Sequence, residues 1–181
     1  MSYKDEFMAI AKRTIHREGI DKLLERLEKS DFFTAPASTS HHEAYEGGLV
    51  EHSIKVRRKL CEIVPAGKFD PETLTIVALF HDVCKVGYYT TEMRNKKVDG
   101  KWVQVPFYTV DDKFPYGHGE KSVYLLNQVI KLTEEEAVAI RFHMGAYEGQ
   151  NIWNTLGNAY KKYPLAFYLH MADMKATYEI E

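Results

Sequence analysis

The sequence predicts a mainly α-helical protein with one inserted β-hairpin. Three observations carry this. Apolar residues recur at helical spacing along most of the chain. Asp70-Pro71 and Thr133 to Glu136 are helix starts, an N-cap before a first-turn proline and a capping box. One Asp-Gly pair, Asp99-Gly100, divides two runs of strand-favouring residues within 93–110.

In chain order, Tyr3 to Leu27 carries Phe7, Ile10, Ala11, Ile15, Ile20, Leu23, Leu24 and Leu27 at helical spacing, and Gly19 is expected to divide it. Residues 34–46, TAPASTSHHEAYE, have no period and read as a loop. Gly47-Gly48 opens a helix to about Val64, which Pro65-Ala66-Gly67 ends. The next helix, Glu72 to about Val86, is apolar nearly all round in its second half, VALFHDVCKV, and so belongs in the core. Pro106 restricts its hairpin strand to an edge or a bulge. Gly117 and Gly119 flank His118, and a helix follows to about Lys131. Another runs from Thr133 to near Met144-Gly145. A looser segment, 146–158, precedes the last helix, Pro164 to Tyr178. There is no internal repeat and no linker, so one domain over 1–181 is expected.

The charge balance excludes several functions. Lys+Arg is 24 and Asp+Glu is 26, net -2, with no basic excess to mark a general nucleic-acid coat or a polybasic membrane anchor. No run of about 18 apolar residues exists, so no membrane span is expected. The N-terminus lacks a signal-peptide core, and Cys61 and Cys84 form no disulfide framework. A reduced, cytoplasmic protein is expected, with the oligomeric state open.

Polar residues inside apolar helical segments are the chemical signal. His52 lies in GGLVEHSIKV, His81-Asp82 in VALFHDVCKV, His118 in PYGHGEKS, His143 in IRFHMG and Asp173 in LHMADMKAT. Imidazole and carboxylate suit Mn, Fe, Ni or Zn, and a carboxylate in an apolar helix needs a partner or a metal. On a helix His81 and Asp82 would point about 100° apart and reach one ion from neighbouring positions. Taken singly, His118 or His143 reads more readily as a satisfied core or surface residue. His16 reads as surface, and His170 as a partner or packing residue one turn before Asp173.

Their order, however, resembles the HD superfamily of metal-dependent phosphohydrolases. His52, His81-Asp82 and Asp173 match its motif, and HDVCK resembles HDxxK, with Lys85 one turn on. HHEAYEGGLVEHS and HMADMKAT resemble segments of the HD domains of bacterial 3′–5′ exoribonucleases. The resemblance covers about 40–178, without the hairpin, and implies an HD-domain helical bundle. With His118 and His143 the set resembles the dinuclear branch. That implies two divalent ions per chain: His52, His81 and Asp173 on one, His118 and His143 on the other, Asp82 bridging. A metal-bridging hydroxide would then attack a nucleotide or short nucleic-acid phosphoester, as phosphatase or phosphodiesterase. The same ligands also serve diiron oxygenases, and a catalytically silent nucleotide-binding module is the third reading. Without room for a separate OB-fold, small-substrate hydrolysis is expected over processive RNA degradation.

Other residues are expected around this centre. Lys85 is either a phosphate contact or leaving-group stabiliser, or a helix-end lysine paired with an acidic neighbour. His42 as proton donor or His41 as substrate contact would come from the loop over the site. Lys121 and Arg141 are further phosphate candidates, and Glu51 could orient His52. Cys84 reads as a small buried hydrophobe. In the hairpin, RNKK reads as a solvated edge or as a tip, 96–101, reaching over the cleft. Trp102, Trp153, Tyr108 and Tyr116 could stack on a base, with core packing the default for most of them.

Overall fold

A computed structural model describes residues 2–40 and 43–179. Eight α-helices and one two-stranded antiparallel sheet lie among them. Helix α1 spans Tyr3–Thr14 and α2 spans Ile20–Glu28. Gly19 divides them at φ 90°, where an added Cβ would lie 2.0 Å from the Val129 carbonyl oxygen. Glycine therefore permits both the backbone turn and the close approach. Helix α3 spans Gly48–Ile63, and an irregular loop precedes it. Helix α4 spans Pro71–Phe80, with Asp70 capping Glu72 N at 2.7 Å.

Helix α4 does not run to Val86: it ends at Phe80, and Val83–Lys85 form a 3-10 turn. Local sequence gives no stop signal there. Tertiary partners supply it, since Cys84 N donates to Ser122 Oγ at 3.2 Å and Lys85 Nζ to the Ala37 carbonyl at 2.7 Å. His81 and Asp82 thus stand at a helix end, not on a continuous helix face.

The hairpin starts earlier than expected. β1 is Tyr89–Val98 and β2 is Lys101–Val110, paired in register from Tyr89↔Val110 to Val98↔Lys101. Asp99 and Gly100 both have positive φ, 49° and 80°, the two-residue turn that matches strand twist. Pro106 costs no ladder bond on the outer side of a two-stranded sheet.

Helix α5 spans His118–Asn127, shorter than expected, and α6 spans Glu134–Arg141 with both halves of its capping box formed. The segment expected to be loose contains α7, Trp153–Lys162, whose Leu156 and Ala159 pack with Phe142. Helix α8 spans Pro164–Thr177. The main core draws buried residues from α1 to α6 and from α8, with Phe7, Phe32 and Phe80 fully covered. Phe7 meets both the Phe32 and Phe80 rings, at 5.2 and 5.7 Å. Among the described residues no helix is long and apolar enough to cross a membrane.

A buried ion pair ties this frame together. Arg17, between α1 and α2, donates to both carboxylate oxygens of Glu136 in α6, one at 3.0 Å. Thr73 Oγ1 in α4 donates to the same carboxylate at 2.8 Å. Glu136 is fully covered.

Candidate metal centre

Five places in the chain bring the His/Asp set together. His52 comes from α3, His81 and Asp82 from the end of α4, and His118 from the first residue of α5. His143 lies in the turn after α6, not inside the helix, and Asp173 lies in α8. Neighbouring rings run His52, His81, His143, His118, with centroids 5.4, 4.9 and 5.1 Å apart. His81 and His143 are fully buried, and Asp82 is nearly so.

Asp82 is the hub. Its Oδ1 lies 2.7 Å from His118 Nε2 and 3.4 Å from His143 Nε2. Its Oδ2 lies 2.7 Å from Lys85 Nζ and 3.4 Å from His81 Nε2. At the other end, His52 Nε2 lies 3.0 Å from Asp173 Oδ1. Three overlapping triads have ligand atoms within 4.8 Å of one another: His52–His81–Asp173, His81–Asp82–His143 and Asp82–Cys84–His118. Each is able to hold a metal ion.

The tautomers favour a cation between these groups. His81 Nδ1 donates to the Ala78 carbonyl at 2.9 Å, and His143 Nδ1 donates to the Ile140 carbonyl at 2.7 Å. Each bond leaves Nε2 facing the cluster, and both Nε2 atoms are buried without a hydrogen-bond partner. A neutral imidazole so held aims a lone pair at a carboxylate that also carries lone pairs. Only a proton or a metal ion makes that contact favourable. The donor set, borderline nitrogens with carboxylate oxygens, fits a divalent transition metal.

Protonation without metal follows the same field. Burial opposes charge on His52, but the carboxylates of Asp173 and Glu43 outweigh it and raise its pKa to about 9. Burial also opposes charge on Asp173 and Asp82, but His52, His81 and His143 hold Asp173, and Lys85 with His81, His118 and His143 holds Asp82, well below the usual carboxylate range. His143 is raised against burial by Asp82, whereas burial prevails at His118 and lowers it. Burial pushes the Cys84 thiol up to about 12, so it stays a neutral thiol beside His118, with Sγ 3.4 Å from Nδ1.

A cleft of about 780 Å³ opens over the cluster. His52, Asp82, His118 and Asp173 line it together with Lys85 and the tyrosines Tyr88, Tyr89, Tyr147 and Tyr178. Lys85 is paired with Asp82, so its ammonium sits at the metal cluster and at the cleft together.

Other expected site residues are placed elsewhere. Lys121 is buried and donates to Asp112 at 2.7 Å; it does not itself line the cleft, though its ammonium lies 5.3 Å from the ring of Tyr88, which does. Arg141 pairs with Glu120 and Glu148 and lines a separate groove. Glu51 accepts from Tyr45 and pairs with Lys55 rather than meeting His52. His41 and His42 lie outside the described residues. The hairpin tip does not line the cleft; its base does, through Tyr89 and Val110. Nor do the exposed aromatics fill the core: Trp102 is 72% exposed, and Tyr116 and Trp153 are exposed too. His16 is exposed as expected.

Glu43 escaped the sequence reading, whereas His170 takes up a partner role, as expected. Glu43, buried at φ 42°, sets Oε2 3.7 Å from His52 Nδ1 while Lys55 holds its Oε1 at 2.7 Å. Its only sequence signal is an acid one residue past a His pair. His170 Nδ1 donates to the His143 carbonyl at 2.7 Å, which fixes the turn that carries His143. Gly145 makes room for it, since a Cβ there would lie 2.4 Å from His170 Cε1, and its φ is 56°. Gly145→Ala is therefore expected to cost about 2 kcal/mol of stability in urea unfolding and to weaken metal retention.

Comparison with family models matches residues 49–176 to the HD domain. Comparison with curated proteins and with solved structures gives no match.

Proposed function

The chain belongs to the HD-domain family, and from that premise we propose that it is a metal-dependent phosphoester hydrolase acting on a nucleotide or short nucleic acid. The observation that carries this reading is the pair of buried imidazole lone pairs, His81 Nε2 and His143 Nε2, turned onto the Asp82 carboxylate. In the proposed arrangement His52, His81 and Asp173 hold one divalent ion, and His118 and His143 hold a second. Asp82 would serve both, because its Oδ2 faces His81 and its Oδ1 faces His118. Bound there, divalent ions lower the pKa of a water, orient a phosphate and offset its charge.

The protein's own residues do the rest. Lys85 donates from its side of the cleft to a phosphate oxygen when substrate replaces part of its contact with Asp82. Its pKa is raised, since the Asp82 charge outweighs burial, so it stays cationic across the physiological range. The Tyr88, Tyr89, Tyr147 and Tyr178 walls offer faces on which a base stacks. The Nδ1 bonds of His81 and His143 to helix carbonyls keep both rings aimed at the ions. Glu43 steadies His52 from behind.

Metal content tests this directly. Protein purified without chelator is expected to carry about two divalent ions per chain by mass spectrometry, and to hydrolyse bis(p-nitrophenyl) phosphate in their presence. Absence of metal after reloading, or full loading without turnover of any phosphoester, would remove the hydrolase reading. Loading with iron accompanied by oxygen consumption would replace it by oxygenase chemistry.

A further inference from the structure

We propose that one face of the β1–β2 hairpin is a track for a single-stranded oligonucleotide whose end enters the cleft. The inference rests on the hydrolase reading above and adds the length and class of the substrate.

Strand register supplies the first argument. Cross-strand partners share a face, and so do alternate residues along a strand. Tyr89↔Val110, which lines the cleft, therefore shares its face with Asn95↔Gln104 and Lys97↔Trp102 near the tip. Between them that face carries Thr91↔Tyr108 and Met93↔Pro106. From Val110 to Trp102 it extends about 27 Å at strand rise. A mononucleotide cannot touch both ends, so a ligand that uses both is a chain.

Chemistry supplies the second. No carboxylate lies on this face: Glu92 points to the opposite side and Asp99 sits in the turn. The opposite face carries Arg94, stacked 4.0 Å over Phe107 and 3.9 Å from Glu92, and adds Lys96 and Lys101 near the tip. Among the described residues no hydrogen bond or ion pair engages the side chains of Asn95, Lys97 or Gln104. Trp102 beside them is 72% exposed. An aromatic surface for stacking, amides for base edges and a lysine for phosphate together suit a single-stranded polyanion. A hairpin standing alone is marginally stable, and a chain laid along it would add order.

The test is anisotropy of a fluorescein-labelled single-stranded 12-mer with phosphorothioate linkages, binding to the full chain. The 12-mer is expected to bind at least about tenfold more tightly than the matching dinucleotide. Trp102→Ala is expected to erase most of that difference, a size typical of one lost stacking contact, while Trp153→Phe keeps it. Trp102 packs on nothing that folding requires, so its loss reports binding. Equal affinity for 12-mer and dinucleotide, or no effect of Trp102→Ala, would overturn the proposal. So would sedimentation as a dimer that Trp102→Ala dissociates, because the face would then hold a second copy. Tight 12-mer binding without hydrolysis of any phosphoester would keep the track and remove the hydrolase. Hydrolysis of bis(p-nitrophenyl) phosphate with no dependence of binding on chain length would do the reverse.

Discussion

Asp82→Ala is expected to abolish metal binding and hydrolysis together. No other described side chain of the cluster faces so many partners: one imidazole and an ammonium lie 2.7 Å from its two oxygens, and two further imidazoles lie at 3.4 Å. Removing it takes a ligand from both proposed ions and the carboxylate that pairs with Lys85 and faces three histidines. Hydrolysis should fall by more than about a thousandfold, since neither the water nor the phosphate is then activated. His81→Ala should behave alike, for its Nε2 belongs to two of the three triads. Mass spectrometry of each variant beside its turnover rate is the check. Retention of metal and rate in both variants would sink the site. A fold control is needed, because the variant leaves Lys85 largely buried beside the Ala37 carbonyl.

Arg17→Met should be the most damaging change far from the cleft. It leaves the Glu136 carboxylate fully covered, with Thr73, Thr133 and their hydrogen bonds but no cation. Breaking a buried pair from one side costs about 3–5 kcal/mol, more than most single substitutions, and urea unfolding should register it. Stability should also respond to acid. Burial opposes charge on Glu136, but Arg17 and the Thr133 and Thr73 bonds outweigh it and lower its pKa below 4.5. A lowered folded-state pKa gives stability that is present above the unfolded value and is lost as pH falls through the folded one. The wild type should therefore lose more stability than Arg17→Met as pH drops below about 4.5. Parallel pH profiles would contradict the assignment.

Features encoded within a few residues were legible in the sequence. Asp70-Pro71, the Thr133 capping box and the Asp99-Gly100 turn each close a local hydrogen bond or set a local φ, and each forms where expected. So did the meeting of His52, His81 and Asp173, because buried polar residues in apolar segments have few other ways to be satisfied. What failed depended on distant partners. Ser122 and Ala37 end the α4 segment at Phe80, though they lie far from it in sequence. Glu136 looked like half of a local cap, and its larger partner, Arg17, is 119 residues away. Glu43 gains its place only through Lys55 and a left-handed backbone that no composition rule signals. The acids that engage Lys121 and Arg141, namely Asp112, Glu120 and Glu148, were likewise not read as their partners. Segment 146–158 carries two glycines and looked loose, but Leu156 and Ala159 find an apolar partner in Phe142.

The contact between His52 and Asp173 joins residues 121 positions apart. An ion gripped by both would act as a clip between the middle of the chain and its last helix. Closing a loop of that length removes much freedom from the unfolded chain while asking little of the folded one. The ion that serves turnover would therefore also hold α8 against α3, and chelation would unfasten the end of the chain first. Metal loading and mechanical fastening would then be one event, so a cell short of the metal would hold a looser, more readily degraded protein rather than an intact but idle one.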